Sequence, residues 1–408
     1  MTRSGNVVVA QGGGPTPVIN ASLSGVVGRA AAELDGNCNI WGARNGITGV
    51  LQDQWIDLRT VSGRLWDQIA ASPGSALGSC RKMLNAEEAS RAVSILKAKD
   101  VRYFFYIGGN DSMDTAMKMN RAALDLGYEM RCCGIPKTID NDLPHTDHCP
   151  GFGSAARFIA QSTIDLGMDI RSLPTPVSII EVMGRDAGWL VAATVLAKTD
   201  PDDAPHLIYV PEIPLARDKF LSDVQSVYDR LGWVVVAVSE GVRDESGESW
   251  GGLRHEKTQD DFGHRLPGDV ASTLASMVNS ELGLRARGEK PGLLGRSSEL
   301  LVSSTDRREA GEAGAFGFSR ARQGHTGFMV SIERRPGSAY HASYGAVPLE
   351  EVADQTRLLP LDYVTASRNG IKDEYRAYAE PLIGGSLDHY ACLDAAHPGL
   401  ANPKLQGR

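Results

Sequence analysis

Short apolar runs alternate with longer helical patterns from residue 6 almost to residue 335, and few folds accommodate that alternation. It predicts an α/β class with a mainly parallel sheet. The expected strands are Asn6–Ala10, Asn39–Gly42, Val101–Ile107, Arg131–Ile135, Val177–Val182, Leu207–Val210, Trp233–Ser239 and Phe328–Ile332. Most are continuously apolar, as strands covered on both faces should be. Helical periodicity fills the intervals over Glu87–Ala98, Met113–Leu126, Phe158–Met168, Asp218–Leu231, Asp269–Leu284 and Ser304–Arg322. Met113, Met117 and Leu124 are expected to share a core stripe. After about residue 345 the periodicity weakens into a tail. At 408 residues the chain exceeds the usual size of one domain, so two lobes are expected, with a boundary near residue 143.

Composition narrows the function. Hydrophobic residues make up 42% and charged residues 23%, the balance of an ordinary globular protein. A formal charge of −8 and a pI near 5.7 argue against a nucleic-acid surface, while leaving room for a local basic pocket. No run approaches the length of a membrane span, and the N-terminal residues run straight into a strand-like segment, so no membrane partner and a cytoplasmic location are expected. The six cysteines lack a framework spacing and read as reduced thiols. Cys132, Cys133, His145, His148 and Cys149 are all possible zinc ligands. Adjacent Cys-Cys and His-Cys pairs converge poorly on one tetrahedron, however, and core thiols are the simpler expectation at 132 and 133.

In open α/β sheets, ligands bind outside the carboxyl ends of strands, so the loops leaving those ends deserve the closest reading. QGGGPTP (11–17) follows a strand and precedes a helix; its glycines permit a tight turn and close approach of an anion, or simply a turn. It is neither a GxxxxGKS/T loop nor a GxGxxG fingerprint. IGGNDSMDTA (107–116) repeats the pattern: Gly108 and Gly109 can admit a phosphate and Asn110 or Asp111 can orient a metal, or the polar residues simply cap the helix. GIPKTIDND (134–142) gathers Lys137, Thr138, Asp140 and Asp142 at a strand end, where folding alone gives them no purpose. EVMGRDAGWL (181–190) delivers Arg185 and Asp186 into a turn before a helix.

With GSALGSCRK (74–82), CPGFGSA (149–155) and VVVAVSEG (234–241), these motifs resemble the phosphofructokinase family in order and approximate spacing, from residue 6 to about 300. The tail looks like the extension of a pyrophosphate-using subgroup. The resemblance implies two Rossmann-like lobes, a donor lobe at 1–143 and a sugar-phosphate lobe at 144–345, with 346–408 as an extension packing back on them. It implies a magnesium-dependent phosphotransferase acting on pyrophosphate and a sugar phosphate. By similarity Asp140 is the base, Thr138 holds the transferring phosphoryl group, Asp142 supports Asp140 or the metal, and Arg185 steadies the phosphoryl group.

Arg81 and Lys82 resemble residues flanking the donor's far phosphate, which Gly13 would contact through its N–H. Ile139, Met183, Gly184, Glu240 and Arg296 fall where the family grips the sugar phosphate. Arg287 matches an arginine that in some members reaches a neighbouring subunit's site, which implies a homodimer or homotetramer. ATP-using relatives have glycines at the positions of Asp111 and Lys137, so filling both favours pyrophosphate over ATP.

The pattern breaks at three places. Asn110 replaces the usual aspartate linked to magnesium. GLLGRSS (292–298) has Leu293 and Gly295 where an aromatic or histidine and a glutamine are expected, and Pro176 stands where many members have arginine. These changes leave the acceptor open between fructose 6-phosphate and another sugar phosphate such as sedoheptulose 7-phosphate. A non-catalytic regulatory paralogue is the remaining alternative, and the intact Asp140, Asp142, Lys137 and Arg185 count against it.

Overall fold

The computed structural model describes residues 5–252, 268–337 and 339–392. Its strands are β1 (Asn6–Gln11), β2 (Ile40–Ala43), β3 (Trp55–Asp57), β4 (Val101–Gly108), β5 (Arg131–Pro136), β6 (Val177–Val182), β7 (Leu207–Tyr209), β8 (Val234–Ser239), β9 (Ala286–Glu289), β10 (Phe328–Arg334) and β11 (Ala342–Pro348). Contacts divide the described chain into two compact units, 5–155 with 296–357, and 156–252 with 268–295 and 358–392.

The first unit is built on a seven-stranded sheet in the order β11-β10-β5-β4-β1-β2-β3. Its central pairs are parallel, and β3 and β11 close the two edges antiparallel. The apolar runs follow from burial on both faces. Val8 and Ala10 join Phe104, Tyr106 and Met113 in one core, whereas Val7 and Val9 join Phe105, Ile107 and Ile19 in another. On the second of these faces, helices Ile19–Glu33 and Ser304–Arg322 approach so closely that a Cβ on Gly25 would lie 2.0 Å from the Gly311 carbonyl oxygen.

The second unit has four parallel strands in the order β7-β8-β6-β9. Val234, Val236 and Val238 pack with Val270 and Leu274, while Val235 faces Ile170 and Ala204 on the other side. Residues 358–392 belong to this unit: Arg157 donates to the carbonyls of Ile383, Gly385 and Ser386, and the Tyr375 hydroxyl donates to the carbonyl of Trp189.

The expected division put 144–345 in a second lobe. In the structure β10 pairs with β5 and β11 returns beside β10, so 296–357 completes the sheet of the first unit. The continuously buried Phe328–Ile332 run suits that interior position. Leu124 is not core; it is 65% exposed, and the buried stripe runs through Met113, Ala116, Met119 and Ala123 instead. Cys132 and Cys133 are fully buried, and burial pushes both thiols well above their usual range. Among the described residues, no helix is long and apolar enough to cross a membrane.

Candidate active site

In the first unit β1, β4 and β5 deliver three loops to one sheet edge. The ladder continues into them, because Gly12 N–H donates to the Ile107 carbonyl at 2.9 Å and Lys137 N–H to the Gly108 carbonyl at 3.0 Å. Glycine is required where they meet: a Cβ on Gly12 would lie 2.6 Å, and one on Gly108 2.0 Å, from the Ser112 hydroxyl oxygen. Gln11 and Asn20 fix the neighbouring GSALGSCRK segment. Gln11 accepts from Leu77 N–H, and Asn20 donates to the carbonyls of Ser72 and Gly74.

Lys137 is buried among these loops. Its ammonium donates to the carbonyls of Gly12 at 2.9 Å and Gly14 at 2.6 Å, and a Cβ on Gly13 would sit 3.3 Å from Nζ. Burial, and then the Arg296 guanidinium, pull its pKa down to about 7; Arg81 adds to this, while Asp140 and Asp142 oppose it. The structure therefore brings Gly13, Arg81, Lys137, Asp140, Asp142 and Arg296 together. Arg296 also faces the glycine loop itself, since a Cβ on Gly14 would lie 2.7 Å from its Nη1.

Two expected donor contacts are already engaged. Gly13 N–H donates to the Cys80 carbonyl at 3.1 Å. The Lys82 ammonium lies 2.7 Å from Glu88, whose side chain also accepts from Asn85 N–H in the capping box of helix Ala86–Ala98. Both contacts have a physical cause in the fold: one bond aligns the glycine loop with the adjacent segment, and the other neutralises a helix-terminal carboxylate.

Helix Asn110–Asp125 starts directly after Gly109, and its first turn carries Asp111. The Asn110 amide donates to the Gln355 carbonyl, while its buried Oδ1 has no hydrogen-bond partner. An unsatisfied oxygen next to a carboxylate is a donor set that suits a hard cation such as Mg²⁺.

The loop after β5 holds Thr138, Ile139, Asp140 and Asp142. Thr138 N–H donates to the Pro150 carbonyl, and its hydroxyl accepts from Asp140 N–H at 3.1 Å. Asn141 has a φ of 57°, and its side chain accepts from Cys149 N–H. His148 is saturated, with Asp147 at 2.8 Å and Glu309 at 2.7 Å on its two ring nitrogens. Burial disfavours the imidazolium, but these two carboxylates outweigh it and raise the histidine's pKa. Asp306 accepts from the N–H groups of Gly151 and Ser154 and from the Ser154 hydroxyl, anchoring the far end of the loop.

In the second unit Met183, Gly184 and Arg185 follow β6. Gly184 has a φ of 127°, and its N–H donates to Glu240 at 3.3 Å. A Cβ on Gly241 would strike the Arg185 carbonyl, so the turns after β6 and β8 are in contact through backbone. Arg185 pairs with Asp186 at 2.7 Å, and burial raises the Glu240 carboxyl despite the Gly184 N–H. Arg287 is exposed on the edge strand β9, and Leu293 is 62% exposed.

Sequence reasoning passed over Asp306, Gln355 and Arg357. The capping pattern SSTD (303–306) offered a faint sign of the first; backbone contacts by the others leave no motif.

The family model described as Phosphofructokinase matches residues 6–316. The pyrophosphate–fructose 6-phosphate 1-phosphotransferase of Rhodospirillum rubrum is 42% identical, over 96% of this chain and 97% of its own. A protein named sulfofructose kinase, from Alkalicoccus urumqiensis, is 32% identical over 93% of this chain and 94% of its own. Among solved structures, a pyrophosphate-dependent phosphofructokinase from Marinobacter aquaeolei superposes with a TM-score of 0.85 at 39% identity, covering 95% of this chain and 94% of that one. With matches of this extent to both sequence and fold, the chain belongs to the phosphofructokinase family.

Proposed function

We propose that this protein transfers a phosphoryl group reversibly from pyrophosphate to the 1-hydroxyl of fructose 6-phosphate, giving fructose 1,6-bisphosphate and phosphate. The observation that carries the reading is Lys137, whose ammonium fills the glycine loop where ATP-using relatives have a glycine. It suits a short, highly charged donor and obstructs a nucleotide, and the carboxylate of Asp111 adds repulsion toward further phosphates.

In the transfer, the sugar oxygen attacks phosphorus, its proton passes to Asp140, and the bridging P–O bond breaks to release phosphate. Asp140 acts in its ionised form, as a general base must. Thr138 contacts the transferring group, and Asp142 supports the base. Arg81 and Lys82 act on the far phosphate; for Lys82 this requires leaving Glu88. Gly13 N–H, likewise, exchanges the Cys80 carbonyl for a phosphate oxygen.

Asn110 Oδ1 and Asp111 would hold Mg²⁺, which neutralises charge on the phosphates when bound, and Gly109 gives the phosphates room. For Arg185 the role is charge stabilisation of the phosphoryl group, and for Ile139, Met183, Gly184, Glu240 and Arg296 it is sugar-phosphate binding. The exposed Arg287 supports a homodimer or homotetramer, to be read from the mass in solution, and the reading includes a cytoplasmic location.

A second acceptor is favoured by Leu293, Gly295 and Pro176, and by a relative of nearly full-length coverage named for a different sugar substrate. A matrix of donors and acceptors tests both points. Turnover with pyrophosphate and fructose 6-phosphate but not ATP is expected. ATP turnover without pyrophosphate turnover would refute the donor reading, and a higher kcat/KM on sedoheptulose 7-phosphate would move the acceptor.

A further inference from the structure

The loop between β5 and helix Phe152–Ser172 has little regular structure of its own, yet it carries Asp140 and Asp142. Its carbonyl groups converge on one side chain from far along the chain. Arg357 donates from Nε at 3.2 Å and Nη2 at 2.7 Å to the Asn141 carbonyl. Its Nη1 donates to the carbonyls of Thr146 at 2.5 Å and Asp147 at 2.8 Å. Its backbone N–H donates to the Asp142 carbonyl at 2.7 Å. Two residues earlier, the Gln355 carbonyl accepts from the Asn110 amide.

We infer that residues 355–357 form a positioning strap for this site, with Arg357 fixing the backbone that presents Asp140 and Gln355 orienting Asn110. The inference rests on the proposed role of Asp140 as base. A planar guanidinium presents five N–H donors in a fixed fork, and here it spans carbonyls on both arms of the loop. A lysine ammonium is a point donor at the end of a flexible stem and cannot span them. Asn141, held at positive φ between the two aspartates, is the residue that relaxes first if its carbonyl loses this clamp. A general base must lie within hydrogen-bond reach of its proton, so a small displacement of the loop lowers turnover more than donor binding. The strap sits on an anchored base, since Leu349 N–H donates to the Gly327 carbonyl and Leu349 and Val352 are buried.

The test is steady-state kinetics on Arg357→Lys and Arg357→Ala, with Asp140→Asn in parallel and thermal unfolding of each. For Arg357→Ala, kcat should fall by about 10²-fold, the scale expected for a misplaced catalytic group, with KM for pyrophosphate changed by less than about threefold. Arg357→Lys should lie between this and the parent, and added methylguanidine should restore part of the kcat of Arg357→Ala but none of that of Asp140→Asn. Should Arg357→Ala not fold, Arg357→Lys decides. A folded Arg357→Lys with parental kcat overturns the strap, as does a loss confined to KM for pyrophosphate. An active Asp140→Asn would overturn the base assignment instead.

Discussion

At the residue scale the loops at the ends of β1 and β5 set the chemistry. Asp140→Asn should lower kcat by about 10²–10⁴-fold, the range for removal of a general base, with the melting temperature nearly unchanged because the side chains are of equal size. Lys137 makes a sharper prediction. Its folded pKa lies at about 7, against 10.5 for an ordinary lysine, so the folded protein sheds this proton while the unfolded chain keeps it. Stability of the free protein should therefore rise with pH from about 7 toward 10.5. Pyrophosphate affinity should move the opposite way, with kcat/KM falling as pH passes upward through 7, because the cation binds the donor. Lys137→Met should flatten both profiles, and a pyrophosphate kcat/KM that is flat across this range in the parent would refute the assignment.

The same residues show what a sequence discloses. GIPKTIDND announced itself because charged groups ended an apolar run, and the structure puts Lys137, Asp140 and Asp142 in one electrostatic neighbourhood. Lys82 shows what a sequence does not disclose, since a basic residue in such a motif reads the same whether its resting partner is solvent or, as here, Glu88. Arg357 was silent. Its partners are carbonyl oxygens, which every residue has, so no spacing or residue type marks the contact.

At the scale of elements, the buried interior strands were legible because burial on both faces demands an unbroken apolar run. The strands that sequence reading missed are those without that demand. β9 is ARGE, partly exposed at an edge; β11 has no buried residue, only half-buried and exposed ones; and β3 has only three residues. The close crossing of helices Ile19–Glu33 and Ser304–Arg322 depends on Gly25, so Gly25→Ala should cost about 1–3 kcal/mol through overpacking. Thermal unfolding would register it as a lower melting temperature, whereas Gly28→Ala, whose Cβ meets nothing within 4 Å, should not lower it. Asp306→Ala removes the acceptor for two N–H groups and a hydroxyl, and should cost about 1–3 kcal/mol. The Thr138–Gly151 bridge lies beside this anchor, so kcat should fall with it.

At the scale of the whole molecule, the tail is divided in its loyalties: residues to 357 serve the first unit and residues 358–392 the second. Deleting everything after residue 357 removes Tyr375 from the Trp189 carbonyl and strips Arg157 of its three acceptors. Loss of a cooperative unfolding transition for the second unit is expected, measured by calorimetry. Retention of that transition would show the tail to be dispensable there.

The pairing of β5 with β10 also bears on how the chain is made. When β5 leaves the ribosome, its partner, beginning at Phe328, has yet to be translated, and the whole β6–β9 sheet must be synthesised first. Through that interval the nascent first unit carries a raw, apolar strand edge, the kind of surface that recruits foreign strands. Slow translation of residues 137–327 would prolong the exposure, and holding chaperones would matter most for this protein during that stretch of synthesis.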